Sequence, residues 1–226
     1  MVSLIEIWIG SICQQGLARQ NIEDCIFIRN RTDERYAILG VSDGIGGLEY
    51  GEIASSEVCE FFNVQIISYP EQFLLDKAEK ANEHLFSSAI RRGATLTAAV
   101  IDKQSDNFWA LSIGDSRIYH YTATRLIQLS ADDKYLSKNI FAPNNIITKA
   151  VGIKEKIPTL KVLTGKLKKG ESLLLTTDGI HTAINNEDIK ETLQFFKKNY
   201  ILNELTKQAL CRGSEDDMAA IYICKE

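Results

Sequence analysis

The sequence predicts an α+β fold, a four-layer α-β-β-α sandwich in which two antiparallel sheets pack together and a helical pair covers each outer side. Two observations carry this. Strand-like runs follow one another instead of alternating with helices, which disfavours a doubly wound parallel sheet. The helical periods come in two pairs, one after the third strand and one before the last. The chain has 226 residues, 45% hydrophobic and 25% charged, enough for a sizeable core; one domain over residues 1–226 is expected.

Residues 4–13 alternate and are rich in isoleucine, so they read as the first strand; 25–29 and 35–41 read as the second and third. Helical spacing then covers 50–68, with Ile53, Val58, Phe61 and Phe62 on one face. After Pro70 a second helix runs to about residue 90, because Phe73, Leu74, Ala78, Ala81, Leu85 and Ala89 recur at helical intervals, and Gly93 stops it. Strands follow over 95–101, 108–113, 117–121 and 125–129, with Asp106-Asn107 turning the first pair into a hairpin. Residues 130–150 are polar and poorly periodic, a loop with some short helix. Strands over 160–163 and 172–176, helices over 188–196 and 201–210, and a strand over 219–224 complete the chain.

Composition narrows the function classes. There are 26 basic and 30 acidic side chains, a net charge of −4, which argues against a nucleic-acid binder that relies on bulk attraction to phosphates. The charge is uneven: residues 1–60 hold 4 basic against 10 acidic groups, and residues 149–170 hold 7 lysines against one glutamate. The lysine-rich part reads as a solvated face. Five cysteines, odd in number and without a Cys-x-x-Cys pair, argue against a disulfide framework or zinc knuckle, and several of them lie in apolar runs and read as small core residues. No stretch has the apolar length of a membrane span, and no basic region opens the chain, so a cytoplasmic location is expected.

The chemistry is expected at strand ends. The apolar run into Gly40-Val41-Ser42 breaks at Asp43, followed by three glycines within four residues. Asp115 follows Ile113-Gly114, Asp178 follows 173–175 and precedes Gly179, Asp216-Asp217 lead into the last strand, and Glu23-Asp24 precede the second. Any one of these is also an ordinary turn residue. On one rim, such carboxylates would repel unless cations neutralised them, and an all-oxygen donor set suits Mn²⁺ or Mg²⁺ better than zinc.

Read in order, Arg19-Gln20-Asn21-Ile22-Glu23-Asp24, Val41-Ser42-Asp43-Gly44-Ile45-Gly46-Gly47 with Gly51-Glu52, Gly93-Ala94-Thr95, Ile113-Gly114-Asp115-Ser116-Arg117-Ile118-Tyr119, Thr177-Asp178-Gly179-Ile180 and Glu215-Asp216-Asp217 resemble the successive signature blocks of the protein phosphatase 2C family, the metal-dependent serine/threonine phosphatases, in its short bacterial form. The resemblance implies Mn²⁺ or Mg²⁺ as cofactor, two ions with a third at a weaker site. It implies that Asp43 bridges two of them with the Gly44 carbonyl as a further ligand, and that Asp178 and Asp216 complete the set around the first ion. Glu23 would hold a water on the second ion, Asp24 would support the shell from outside, and Asp115 with Asp178 would bind the third. Arg19 stands where the family grips the substrate phosphate. Hydrolysis would follow from direct attack of a metal-bridging hydroxide, with no covalent phosphoenzyme. Phosphorylated proteins are the implied substrates, a serine/threonine kinase the implied counterpart, and the expected state is a monomer with neither nucleic acid nor membrane as partner.

The sequence departs from the family at three places. Ile45 replaces the histidine that animal members carry after the Asp-Gly pair, so a metal-bound water would protonate the leaving oxygen. Asp217 replaces a common asparagine, which adds negative charge and leaves open which of Asp216 and Asp217 is the ligand. Residues 130–152 resemble a shortened flap. The rival readings are a catalytically decayed module that binds phosphoproteins or regulates a partner, and a carboxylate-metal nuclease, which the acidic balance disfavours. His181 reads as a satisfied polar residue beside the site, and Arg117 as a partner for a carboxylate inside the fold.

Overall fold

The computed structural model describes residues 6–46, 48, 50–135 and 146–225. Within them the chain runs β1 (Ile7–Gln14), β2 (Asp24–Arg29), β3 (Tyr36–Asp43), α1 (Gly51–Phe62), α2 (Pro70–Phe86), β4 (Leu96–Asp102), β5 (Asn107–Ile113), β6 (Arg117–Thr122) and β7 (Arg125–Gln128). It continues with β8 (Lys134–Tyr135), β9 (Ile146–Ile147), β10 (Leu163–Lys166), β11 (Ser172–Thr176), α3 (Asp178–His181), α4 (Asn186–Phe195), α5 (Lys198–Cys211) and β12 (Met218–Lys225). One antiparallel sheet has the order β1-β12-β11-β6-β7, the other β10-β5-β4-β3-β2, and β8-β9 form a small ribbon.

Strand alternation divides the apolar side chains among three cores. Successive strand residues point to opposite faces. In β3, Ala37, Leu39 and Val41 turn inward, where they meet Leu173 and Leu175 of β11 and Ala219, Ile221 and Ile223 of β12 between the sheets. Ile38 turns the other way, into a core closed by Val58 and Phe62 of α1 and by Leu74 and Ala78 of α2. On the far side, Leu174, Ala220 and Tyr222 pack under Ile189 and Leu193 of α4 and Leu202 and Leu205 of α5. Both sheets are therefore covered on both faces, which is why their central strands read as nearly unbroken apolar runs. This is the four-layer sandwich that the sequence predicts.

The differences lie at element ends. The first helix stops at Phe62, not 68; beyond it Ile66 still packs on the outer core, but Ile67 is almost fully exposed, so the apolar residues no longer follow a helical stripe. The second stops at Phe86, where the Ser87 hydroxyl donates to the His84 carbonyl (3.1 Å) and competes with a further helical turn. β10 lies three residues later than the apolar run at 160–163, since its register is fixed by pairing Leu163 with Ala110 and Lys166 with Asn107. Leu160 and Val162 instead pack against the outer core. Among the described residues of 130–150 there is no helix, only the β8-β9 ribbon. The short α3 has no counterpart in the sequence pattern; four residues are too few for periodicity to register. Residues 4 and 5 of the first expected strand lie outside the described residues, as does Gly47.

The five cysteines are free; Cys59 is a buried core residue, whereas Cys13 and Cys211 are exposed. No described helix is long and apolar enough to cross a membrane.

Candidate metal and phosphate site

The acidic blocks meet where paired strand ends coincide. Asp24 opens β2 directly opposite Asp43, the last residue of β3. On the other sheet, the end of β11 pairs with the starts of β6 and β12, bringing Thr177-Asp178, Asp115-Ser116 and Asp216-Asp217 to one rim. A cleft of about 460 Å³ opens there, lined by Arg19, Asp43, Gly44, Asp115, Asp178 and Asp216, with Lys149 and Lys154 at its side. Carboxylates directly opposite on neighbouring strands repel, so the Asp24–Asp43 pair is an unfavourable choice for a sheet unless it serves a cation.

The backbone around Asp43 is clamped. Its N–H donates to the Thr95 hydroxyl (3.0 Å), its carbonyl accepts from the Thr95 N–H (2.8 Å), and the Ser42 hydroxyl donates to the Thr95 carbonyl (2.6 Å). The Thr95 hydroxyl also bonds that of Ser116 (2.8 Å), tying the Gly-Ala-Thr block to the Gly-Asp-Ser block. Gly44 donates to the Glu23 carbonyl (3.0 Å). A Cβ at position 44 would fall inside the backbone of Gly51, so only glycine lets the loop pass beneath the start of α1.

Asp216 and Asp217 differ plainly. Asp217 is buried, and its two oxygens accept from the Gly16 N–H (2.8 Å) and the Glu23 N–H (2.7 Å), lacing the Arg19 loop to the head of β12. Asp216 faces the cleft and accepts from Arg19 Nε (2.6 Å). The same guanidinium donates from Nη1 to Glu23 (2.8 Å). Asp24 is buried and accepts from the Thr177 hydroxyl (2.7 Å). Asp217→Ala strands two backbone donors and is expected to cost about 2 kcal/mol or more. Urea unfolding of the metal-free variant measures it, and an unchanged midpoint would mean the loop holds itself.

Arg117 pairs with Asp132 through Nε (2.9 Å) and Nη2 (2.7 Å), the internal carboxylate partner expected for it. His181 is buried, its Nδ1 bonded to the Thr176 hydroxyl (2.8 Å). Burial and the nearby Arg117 and Lys134 hold its imidazole well below its usual range, so it is neutral. Sequence reading missed Lys134, whose ammonium pairs with Asp115 (2.7 Å), and also Lys149, which pairs with Asp133 (2.8 Å). Lys134 lies on no periodic segment, so no pattern marks it, whereas Lys149 opens the lysine-rich stretch that the sequence reads as a solvated face. Part of the lysine-rich stretch thus lines the cleft instead of forming only a solvated face.

Electrostatics supply the test of whether a hard cation fits. Burial, then repulsion from Asp24, Asp178, Asp115 and Asp216, pushes the Asp43 carboxyl well above the usual carboxylate range. Asp24 is pushed to about 8, chiefly by burial, against the opposing Thr177 hydrogen bond, and further by Asp217 and Asp178. Asp178 rises to about 6 through burial and the charges of Asp115 and Asp216. Among the described residues no trio of His, Cys, Asp or Glu side chains closes into a ready-made cage; Arg19 and Lys134 are drawn into the cluster instead. The donors nevertheless fit Mn²⁺ or Mg²⁺: they are hard oxygens, mutually repelling, and open to one cleft.

A pH dependence follows. A carboxyl whose folded pKa lies above its unfolded value binds more protons when folded, so stability falls as pH rises through that window. Metal-free protein is therefore expected to lose thermal stability from about pH 4 to pH 8, the span set by Asp178 and Asp24. Saturating Mn²⁺ should flatten the loss. Melting curves at several pH values check this, and a metal-free protein that grows more stable over that span would refute it.

The family model of protein phosphatase 2C matches residues 18–211. This chain belongs to the protein phosphatase 2C family. It is 26% identical, over 92% of its length, to the serine/threonine protein phosphatase PstP of Mycobacterium tuberculosis, and it spans 43% of that protein. The fold is similar to the crystal structure of a bacterial serine phosphatase, with TM-score 0.86, 22% identity and 98% of both chains covered. It is similar also to Stp1 of Staphylococcus aureus, with TM-score 0.83, 21% identity and 99% and 96% covered. The catalytic domain of PstP, crystallised with two manganese ions, gives TM-score 0.82 at 22% identity with 99% of both chains covered. In this phosphatase 2C family member the matched segment runs from the turn before Arg19 to the end of α5, enclosing most of the cleft.

Proposed function

We propose that this chain is a metal-dependent phosphatase that hydrolyses phosphoserine and phosphothreonine in proteins. The observation that carries the reading is the meeting of Asp43, Asp115, Asp178 and Asp216 with Arg19 in one cleft, supported by membership of the phosphatase 2C family. Asp43, Asp178 and Asp216 would hold one Mn²⁺ or Mg²⁺ ion, and the Gly44 carbonyl would be a further ligand of the two-ion set. Asp43 and Glu23 would serve a second, with Asp24 behind them, and Asp216 is the choice over Asp217 because both oxygens of Asp217 are engaged with backbone N–H groups, whereas in Asp216 only Oδ1 is. Bound ions of this kind lower the pKa of water and neutralise phosphoryl oxygens.

The chain's own residues provide recognition. Arg19 presents a planar fork matched to a phosphate dianion, and it would exchange its bonds to Glu23 and Asp216 for the substrate oxygens. Lys149 and Lys154 put positive charge beside the cleft, which favours entry of an anionic group. Ile45 contributes no proton to the leaving oxygen, so that proton must come from solvent in the site. A serine/threonine kinase would generate the substrates.

Phosphate release from a phosphothreonine peptide, with Mn²⁺ and with chelator, tests the proposal. Expected is turnover with Mn²⁺ that stops on chelation and returns on adding metal back. No release with either Mn²⁺ or Mg²⁺, from folded protein, would refute it.

A further inference from the structure

We infer that the Lys134 ammonium takes the place where a third metal ion is implied by the family resemblance, so that this chain binds two divalent ions and not three. The inference rests on the phosphatase reading above and concerns only Asp115 and its surroundings. Asp115 is buried, and its Oδ2 lies 2.7 Å from Lys134 Nζ. The lysine side chain is itself only 8% exposed, so this is an enclosed pair and not a surface contact. The other oxygen, Oδ1, is buried without a hydrogen-bond partner, which leaves the ammonium as the group that answers the Asp115 charge.

The lysine is delivered there by its surroundings. Just before it, the Asp133 N–H donates to the Gly114 carbonyl (2.9 Å), and the Asp133 carboxylate accepts from the Gly114 N–H (3.2 Å). Asp133 is held in turn by Lys149 (2.8 Å) and by the Thr148 N–H, which donates to its carbonyl (2.7 Å). Asp132 is fixed by the two-pronged Arg117 pair. Lys134 then pairs with Ile147 across the β8-β9 ribbon. Together these anchors bring one amine to one buried carboxylate.

A protonated amine has no lone pair to give a metal, and a divalent ion on Asp115 would stand against a like charge in a poorly solvated setting. Lys134 would have to leave its enclosure before an ion could enter. With an ammonium in place of an ion, Asp115 serves a different purpose, fastening the base of the ribbon to the Gly114 turn beside the cleft.

Equilibrium dialysis against Mn²⁺, with bound metal counted on the full chain, tests this without any reference to turnover. Expected are two ions per wild-type chain, three for Lys134→Ala, and two again for Lys134→Ala combined with Asp115→Ala. Should Lys134→Ala fail to fold by circular dichroism, Lys134→Gln keeps the side chain's bulk without its charge, and three ions are expected there too. Three ions on a wild-type protein that also releases phosphate would overturn this inference and leave the phosphatase reading standing. Two ions on the folded lysine variant would likewise overturn it, because the lysine would then exclude nothing. A wild-type chain that binds no Mn²⁺ and releases no phosphate would overturn both.

Discussion

Asp43→Asn is expected to lower phosphopeptide hydrolysis by about a thousandfold or more, equivalent to about 4 kcal/mol of lost transition-state stabilisation. Asp43 is the carboxylate proposed to serve both ions, and it lies next to the clamped Thr95 and opposite Asp24. Asparagine keeps the shape and the backbone bonds but removes the charge. The fold should gain from this. Asp43 is repelled by four neighbouring aspartates, so the metal-free variant should melt higher than metal-free wild type. Mn²⁺, which should raise the wild-type melting temperature by linkage, should raise the variant's far less. Loss of activity together with a higher metal-free melting temperature would separate a ligand from a merely structural carboxylate. Retained hydrolysis in variant protein free of wild-type contamination would remove Asp43 from the mechanism.

How much of this was legible beforehand depended on whether a residue's role is set by local pattern or by what crosses over it. The sandwich was legible because strand-like runs follow one another, the helical periods come in two pairs, and unbroken apolar runs such as those of β3, β11 and β12 need burial on both faces. The rim of carboxylates was legible too, since Asp43, Asp115 and Asp178 each end or follow an apolar run. Asp216 and Asp217 were not separable, because adjacent residues in a connecting segment have no fixed face. Which one turns to the cleft is decided by the N–H groups of Gly16 and Glu23, about two hundred positions away along the chain. Lys134 was invisible for a related reason. It lies in a polar stretch without period, and its burial comes from an anchored turn that no sequence spacing reveals. Helix ends were misjudged where apolar residues continued past the core that could receive them, as at Ile67.

Arg19→Ala should lower kcat/KM by about a hundredfold, because a two-pronged, charge-assisted contact with a phosphate dianion is worth about 2–4 kcal/mol. Arg19→Lys should recover only a small part of that, since an ammonium offers a point charge where the fork offers two parallel donors. The guanidinium has a second attachment that makes the test sharper. Without substrate it bonds Glu23 and Asp216, both members of the proposed metal-binding set. Burial pulls its pKa down, but Asp216 and Glu23 more than compensate, so it stays charged and competes with metal for those oxygens. Removing it should therefore leave Mn²⁺ affinity unchanged or tighter while turnover collapses. That divergence is what a phosphate-gripping role demands and a scaffold role does not. If Arg19 only braced the loop against β12, its loss would loosen Glu23 and Asp216, and metal affinity would fall along with the rate. Calorimetric Mn²⁺ titration beside steady-state kinetics on the same preparation distinguishes the two, and a kcat/KM within threefold of wild type would exclude Arg19 from substrate binding altogether.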